Sequence, residues 1–448
     1  MTATSLRLRR IDLAEAATDS RVAAEREALL RRGAVPDERV REIVRGILAD
    51  VRSRGAAAVR ETNARVGGGL PDGQLIIDRS GLRAAGDALE PRVRSAIEAA
   101  ITNVRRFAET QRPVSARTEI APGVEIERRW TPLESVGCYV PGGTAPLPSS
   151  LVMTVVPAQV AGVERIVVAT PAGPRGSVDA VVLGAAALLG VDAVLVAGGA
   201  QAIAALAYGL PDDGFAPVDR IVGPGSAWVT AAKIELAGEV GIDLPAGPSE
   251  GLVLADASAD PRFVAADLLT QAEHGPDSPA ILVTDDAAFA DAVEAELGRR
   301  LATEPRAGVL ERSLGAHGRV ILAPSLDAAI DFVNAYGPEH LSVELADADL
   351  EPAVARLRNA GSLFVGRWAP ESAGDYATGA NHVLPTGGLA RSCGPLSVEQ
   401  FGKFTQVQRI TREGLTGLRA TIGTLATAEG LHAHAAAVDV RFAPETDR

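Results

Sequence analysis

The sequence predicts an α/β protein built on parallel sheet. Three observations carry that reading. Short β-branched runs recur along the chain: RIVVATP, AVLVAGG, RIVG, GLVLAD, AILVTDD, RVILAP and SLFVG. Helical stretches of ten or more residues separate them, the rhythm of βαβ units. A break at about 245–250, LPAGPSE, divides the runs, and their number suits two sheets better than one.

The elements follow in order. Residues 1–34 read as a charged helical arm ending at Arg31–Gly33. From Asp37, DERVREIVRGILADVRSRG sets Val40, Ile43, Val44, Ile47, Leu48 and Val51 at helical spacing, which predicts an amphipathic helix. A second long helix is predicted over 90–110, with Val93, Ile97, Ile101 and Val104 on one face. To about residue 125 the chain reads mainly helical, and strands then alternate with helices. The stretch from Ser397 to the end reads as an appended helical piece.

Composition narrows the function classes. Of 448 residues, 47% are hydrophobic and only 4% aromatic, the profile of a closely packed globular protein. Asp plus Glu number 57 against 44 Lys plus Arg, a formal charge of −13. That acidic balance argues against binding nucleic-acid phosphates and against docking on an anionic membrane. The amino-terminal MTATSLRLRRIDLAEAA has no apolar stretch after its arginines, so no secretory signal is expected. The most apolar region, VVLGAAALLGVDAVLVAGG, is interrupted by Asp192 and falls short of the roughly 18 apolar residues that span a bilayer. Cys138 and Cys393 lie far apart, with no disulfide framework, so a reducing cytoplasm is expected.

Histidine is scarce, with six in the chain, and several fall in polar, chemistry-bearing stretches. In DPRFVAADLLTQAEHGPDS, Asp260 and Pro261 mark a helix start and Gly275 its end. Gln271 and His274, three apart, share a face of its last turn and can supply two ligands to a zinc ion. On this fragment alone, His274 as a complement to the helix C-terminal dipole is the stronger reading. In AYGPEHLSVE, Glu339 and His340 sit on a turn between a helix and a strand, either as a surface pair or as two proton-transfer groups. The Gly-rich ESAGDYATGANHVLPTGG offers Asp375 as an oxygen ligand and His382 as a donor to substrate, and AEGLHAHAAAVDVR carries Glu429, His432 and His434. GGAQAIAALAYG and GPGSAW are strand-to-glycine-to-helix transitions that can present N–H groups to phosphate. Neither fits G-x-G-x-x-G, since Trp228 stands where the third glycine belongs. Cys138 lies in the apolar run SVGCYV with no nearby base, which favours a structural role over a nucleophile.

Taken in order, these stretches resemble the histidinol dehydrogenases, and the resemblance covers nearly the whole chain. It rests on GCYVPGGTAPLPSSLVMTVVPAQVAG, GGAQAIAALAYG, DLPAGPSE, DLLTQAEHGPDS, GPEHLSVE, GDYATGANHVLPTGG and EGLHAHAAAV. The resemblance implies a zinc ion held by Gln271, His274 and Asp375, completed by His434 of the neighbouring subunit. It implies Glu339 and His340 as the acid–base pair, and Ser249, His382 and Glu429 as substrate contacts; His340 and the zinc ligands border the substrate too. Tyr139, Gln201 and Ser226 fall on positions that touch NAD, although the family commonly has Asn where Ser226 stands. The activity implied is two-step, zinc- and NAD-dependent oxidation of L-histidinol through the aldehyde to L-histidine. A dehydrogenase for another small polyol, such as a sulfonated diol, is the nearest alternative, and a zinc hydrolase a more distant one. The fold implied is two incomplete Rossmann-like lobes with an N-terminal helical arm and a C-terminal helical piece, intertwined as a homodimer. The arm is 1–34, the first lobe 35–138 and 249–396 with the zinc and catalytic residues, the second lobe 139–248 on the NAD side, and the dimerisation piece 397–448.

Overall fold

The computed structural model describes residues 7–142 and 145–443. Two compact units divide the chain, Met1–Gln111 with Leu133–Phe401, and Arg112–Pro132 with Gly402–Arg448. The first unit holds two six-stranded sheets. One is parallel throughout, in the order Arg9–Asp12, Arg319–Leu322, Ala280–Thr284, Gly251–Ala255, His340–Glu344, Ser362–Val365. The other runs Ile76–Asp78, Ala193–Val196, Arg165–Thr170, Ser135–Tyr139, Arg220–Val222, Gly241–Ile242, with only Ile76–Asp78 antiparallel.

Both sheets are covered on both faces, which is why their central strands read as continuous apolar runs rather than alternating ones. In the second sheet Val136, Cys138 and Val168 join one core cluster, while Tyr139, Val167 and Ala169 join the cluster on the opposite face. The first sheet divides the same way, with Val253 and Leu282 on one side and Leu252, Ile281 and Leu341 on the other. The chain changes direction across each sheet once, between Gly251–Ala255 and His340–Glu344 in the first and between Ser135–Tyr139 and Arg220–Val222 in the second.

Two predicted helices form where the spacing places them, at Glu38–Arg54 capped by the Asp37 side chain and at Pro91–Glu109. The structure differs from the sequence reading in four places. The arm is not wholly helical: Arg9–Asp12 is an edge strand, because Leu8 and Ile11 are buried, and the helix Ser20–Leu30 follows it. Residues 35–138 do not join the first lobe. Ile76–Asp78 and Ser135–Tyr139 belong to the second sheet, and the apolar stripe of Glu38–Arg54 packs in the core formed with Ala200–Leu206. The mainly helical reading to about residue 125 fails from Ala116, where a hairpin forms, Ala116–Ala121 with Val124–Pro132. The C-terminal piece is not all helix either: Gly402–Ile410 pairs with Val124–Pro132 before the helices Arg412–Ala428 and His432–Asp439 begin. Residues 1–6 of the arm and 444–448 of the C-terminal piece lie outside the described residues.

Candidate active site

The topology of the first sheet explains why distant motifs meet. Ser249 and Glu250 directly precede the strand Gly251–Ala255, and Glu339 directly precedes His340–Glu344. These neighbouring strands are parallel, with Gly251 opposite His340, so both pairs lie at the sheet's amino edge. The helix Pro261–Glu273 connects two parallel strands and must run back against them. Its C-terminal end, with Gln271 and His274, therefore returns to the same edge. The short helix Glu371–Tyr376 brings Asp375 there as well. Gly251 leaves the space this needs, since a Cβ on it would lie 2.7 Å from the Gln271 side chain.

Ser249 is the hub. Its Oγ donates to Glu339 Oε2 at 2.7 Å and lies 2.8 Å from His274 Nδ1, with Gln271 Nε2 at 3.4 Å. A hydroxyl has one proton to give, and Glu339 receives it. His274 Nδ1–H therefore donates to Ser249, which leaves the Nε2 lone pair facing Asp375 Oδ2 at 3.8 Å and Glu371 Oε1 at 3.9 Å. Gln271 Oε1 is buried with no hydrogen-bond partner. His274, Glu371 and Asp375 can bring their ligand atoms within 4.8 Å of one another. A free imidazole nitrogen, an orphaned amide oxygen and buried carboxylates fit a zinc ion, which takes nitrogen and oxygen ligands.

Beside that cluster stand the two proton-transfer candidates, both almost wholly buried. Burial pushes Glu339 up to about 8 against the hydrogen bonds from Ser249 and the Glu250 N–H. Burial pushes His340 down to about 3 despite the nearby Asp375 charge, so its imidazole is neutral and can accept a proton. His340 Nδ1 lies 3.7 Å from Glu339 Oε2 and 3.9 Å from Glu371 Oε1, and neither of its ring nitrogens has a hydrogen-bond partner. His382 lines the same small cavity with Asp375 and His340, and burial lowers its pKa as well. Asp375 is held below the usual carboxylate range: burial opposes this, but His274, 3.8 Å away, and the other imidazoles around it outweigh it.

Seven of the residues expected in the site, Ser249, Gln271, His274, Glu339, His340, Asp375 and His382, thus gather at one edge. Glu429 and His434 lie in the second compact unit, both exposed on it. The sequence reading missed Glu371. Its signal was present in ESAGDY, where Glu371 and Asp375 stand four apart and share a helix face. Burial, reinforced by Asp375 and Glu339, pushes the Glu371 carboxyl well above its ordinary value.

The residues expected on the cofactor side lie at the second sheet. Tyr139 ends the strand Ser135–Tyr139, and its hydroxyl accepts a hydrogen bond from Gly199 N at 3.1 Å. Ser226 is the exposed N-cap of the helix Ala227–Leu236, and its side chain makes no cap bond. These two positions flank the point where the strand order reverses, at the carboxyl ends of the strands, the usual ligand crevice of doubly wound sheets. Gln201 is buried, and its Nε2 donates to Asn63 Oδ1 at 3.1 Å. Cys138 is a free, fully buried thiol whose pKa burial pushes up to about 12, which fits the structural role expected for it.

Comparison with known proteins agrees with this geometry. The family model described as histidinol dehydrogenase matches residues 30–442. The histidinol dehydrogenase of Leifsonia xyli is 48% identical over 419 residues, covering 93% of this chain and 95% of that protein. That of Halobacterium salinarum is 47% identical over 434 residues, covering 97% and 99%. Among solved structures, histidinol dehydrogenase from Elizabethkingia anophelis superposes with a TM-score of 0.88 at 34% identity, over 97% of this chain and 98% of that one. On the family match, the sequence identities and the shared fold together, the chain belongs to the histidinol dehydrogenase family.

Proposed function

We propose that the protein oxidises L-histidinol through the aldehyde to L-histidine, using a zinc ion and two molecules of NAD in turn. One observation carries the reading: a free His274 nitrogen, an orphaned Gln271 oxygen and Asp375 converge beside a buried Glu–His pair in a chain of this family. Gln271, His274 and Asp375 would hold the metal, with His434 of a second copy completing the set. Bound zinc would supply a grip on the substrate and no redox chemistry, and bound NAD would supply the hydride acceptor for each oxidation.

The chain's own residues then handle protons and water. His340, kept neutral by burial, takes the hydroxyl proton at a ring nitrogen in the first oxidation. Glu339, pushed up to about 8 by burial, is ionised in the alkaline range and then takes a proton from the water that adds to the aldehyde, and Ser249 holds it in place for that step. Ser249, His382 and Glu429 contact the substrate. Tyr139, Gln201 and Ser226 serve the NAD side at the carboxyl edge of the second sheet. Gln201 does so through the Asn63 bond that orders the glycine turn after Ala193–Val196, since Asn63 also donates to Val196 O. No helix among the described residues is long and apolar enough to cross a membrane, and the two free cysteines suit a reducing cytoplasm.

The shared site gives the reading its test. His274→Ala and His434→Ala homodimers are each expected to be impaired. In a mixed dimer one site carries both lesions and the other neither, so equal amounts reassorted at random recover roughly a quarter of wild-type activity. No recovery with mixed dimers confirmed by mass spectrometry refutes the shared site. Wild-type turnover by metal-free protein refutes the zinc assignment.

A further inference from the structure

Glu250 stands between the two proton-transfer residues and touches both through its backbone. Its N–H donates to Glu339 Oε2 at 2.9 Å, and its C=O accepts from His340 N at 3.1 Å. The place of the Glu339–His340 dipeptide is therefore set by where the Glu250 peptide is held. That peptide is anchored through its side chain, which is 4% exposed. Glu250 Oε1 accepts from Arg32 Nη2 at 2.9 Å and from Gly387 N at 3.1 Å, and the Tyr336 hydroxyl lies 3.4 Å from Oε2.

Arg32 is the one full charge among these partners. It comes from the chain that follows the amino-terminal helix Ser20–Leu30, far in sequence from the rest of the site. Its guanidinium lies 3.2 Å from the centroid of the Tyr336 ring, and Nη2 also donates to Tyr336 O at 2.8 Å. Nη2 alone makes both bonds, and with the stacking and the charge it holds both Glu250 and the end of the helix Leu326–Tyr336 that leads into Glu339. A carboxylate buried this deeply is costly without its cation.

We propose that Arg32 and Glu250 form a positioning clamp for the acid–base pair, so that the amino-terminal segment takes part in turnover without touching substrate or metal. The inference rests on the roles proposed above for Glu339 and His340. It requires that loosening the clamp slow the proton-transfer steps and spare substrate capture, because the metal ligands and Ser249 Oγ keep their own contacts.

The test uses the full-length, zinc-loaded enzyme, with Arg32→Met, Arg32→Lys, Glu250→Gln and Glu339→Gln assayed side by side for kcat, KM for histidinol, zinc content and Tm. Arg32→Met is expected to lower kcat by about 10–100-fold, the scale of a small misplacement of catalytic groups, with KM within about twofold and zinc content unchanged. Arg32→Lys, which keeps the charge but not the planar stacking on Tyr336, is expected to recover about half of that loss on a logarithmic scale. If Arg32→Met lowers Tm while its folded fraction turns over at the wild-type rate, the clamp is overturned. If Arg32→Met does not fold, the near-isosteric Glu250→Gln decides: a fall in kcat at constant KM supports the clamp, and wild-type kcat overturns it. Wild-type turnover by Glu339→Gln would instead retire the acid–base reading, an outcome separate from either clamp result.

Discussion

The two sheets of the first unit carry the proposed functional residues at opposite edges and by different means. At the amino edge of the first sheet the groups are side chains, buried and tied to one another: Ser249 to Glu339 and His274, and Glu250 to Arg32. At the carboxyl edge of the second sheet the framework is backbone. Gly223 has φ +115° and packs on the Tyr139 carbonyl, its N–H is held by Asp243 Oδ2 at 2.7 Å, and Lys233 donates to its oxygen at 2.9 Å. The contrast follows from the chemistry proposed for each. Proton transfer needs side chains with displaced pKa values, which only burial and neighbours provide. A dinucleotide needs close approach and N–H donors, which glycine loops and helix starts provide.

The largest way to break the comparison is to remove a proton-transfer group. Glu339→Gln and His340→Asn are each expected to lower kcat by about 10²–10⁴-fold with far smaller changes in histidinol binding, since neither is proposed as a zinc ligand. Stopped-flow assays of each half-reaction separate the roles. A His340→Asn enzyme that keeps a normal first oxidation would move the base elsewhere.

On the second sheet the comparable lesion is a backbone one. A Cβ at Gly223 would sit 2.1 Å from the Tyr139 carbonyl oxygen at a positive φ. Gly223→Ala is expected to cost about 2–4 kcal/mol of stability and to raise the KM for NAD while sparing zinc content. Unfolding curves and metal analysis read this directly. Unchanged NAD affinity in the folded variant would uncouple this loop from the cofactor.

This contrast also explains what the sequence disclosed. Gln271, His274, Glu339, His340 and Asp375 were legible because polar residues at the ends of apolar elements stand out, and their order along the chain matched a family. Glu371 did not stand out, because a glutamate in a short polar helix looks solvated until folding buries it. Arg32 and Glu250 could not be paired from sequence, since 218 positions separate them. In the fold, Ser135–Tyr139 was missed because both its faces are buried and it has no alternation to read. The strand Val124–Pro132 was missed for the opposite reason. Its charges resemble a helix surface, yet Glu127 bonds Arg129 beside it and Arg409 across the sheet.

A milder test asks whether burying charge in the first sheet's layer carries a cost away from the ligands. Asp267 lies on the same helix as Gln271, one turn earlier, and burial pushes its carboxyl up to about 6 against a hydrogen bond from Ser342. A folded pKa above the unfolded one means that the folded state holds the proton longer. The stability it contributes is complete below about pH 4 and is lost as pH rises towards about 6, then stays flat above that. The loss is on the order of 1–3 kcal/mol. Asp267→Asn is expected to remove this slope, so that the variant gains on wild type between pH 4 and pH 7 in denaturant titrations. Parallel curves for the two proteins would contradict the burial argument.

The smallest expected effect concerns the Cys138 thiol on the strand Ser135–Tyr139. Cys138 precedes Tyr139 on its strand, and a nucleophilic cysteine there would be the natural trap for an aldehyde. Its surroundings argue otherwise. The side chain is fully buried, burial holds its pKa near 12, and the partner that opposes this is the Thr154 hydroxyl rather than a base. A thiolate is the reactive form, and this site suppresses it. Cys138→Ser keeps the shape and the bond to Thr154, so turnover is expected to remain within about twofold of wild type. Stability should fall by about 1–2 kcal/mol as a more polar group enters an apolar layer. Alkylating reagents should leave native Cys138 unmodified, while they modify it in urea. A folded Cys138→Ser enzyme that oxidises the alcohol but stalls at the aldehyde would bring the thiol back into the mechanism.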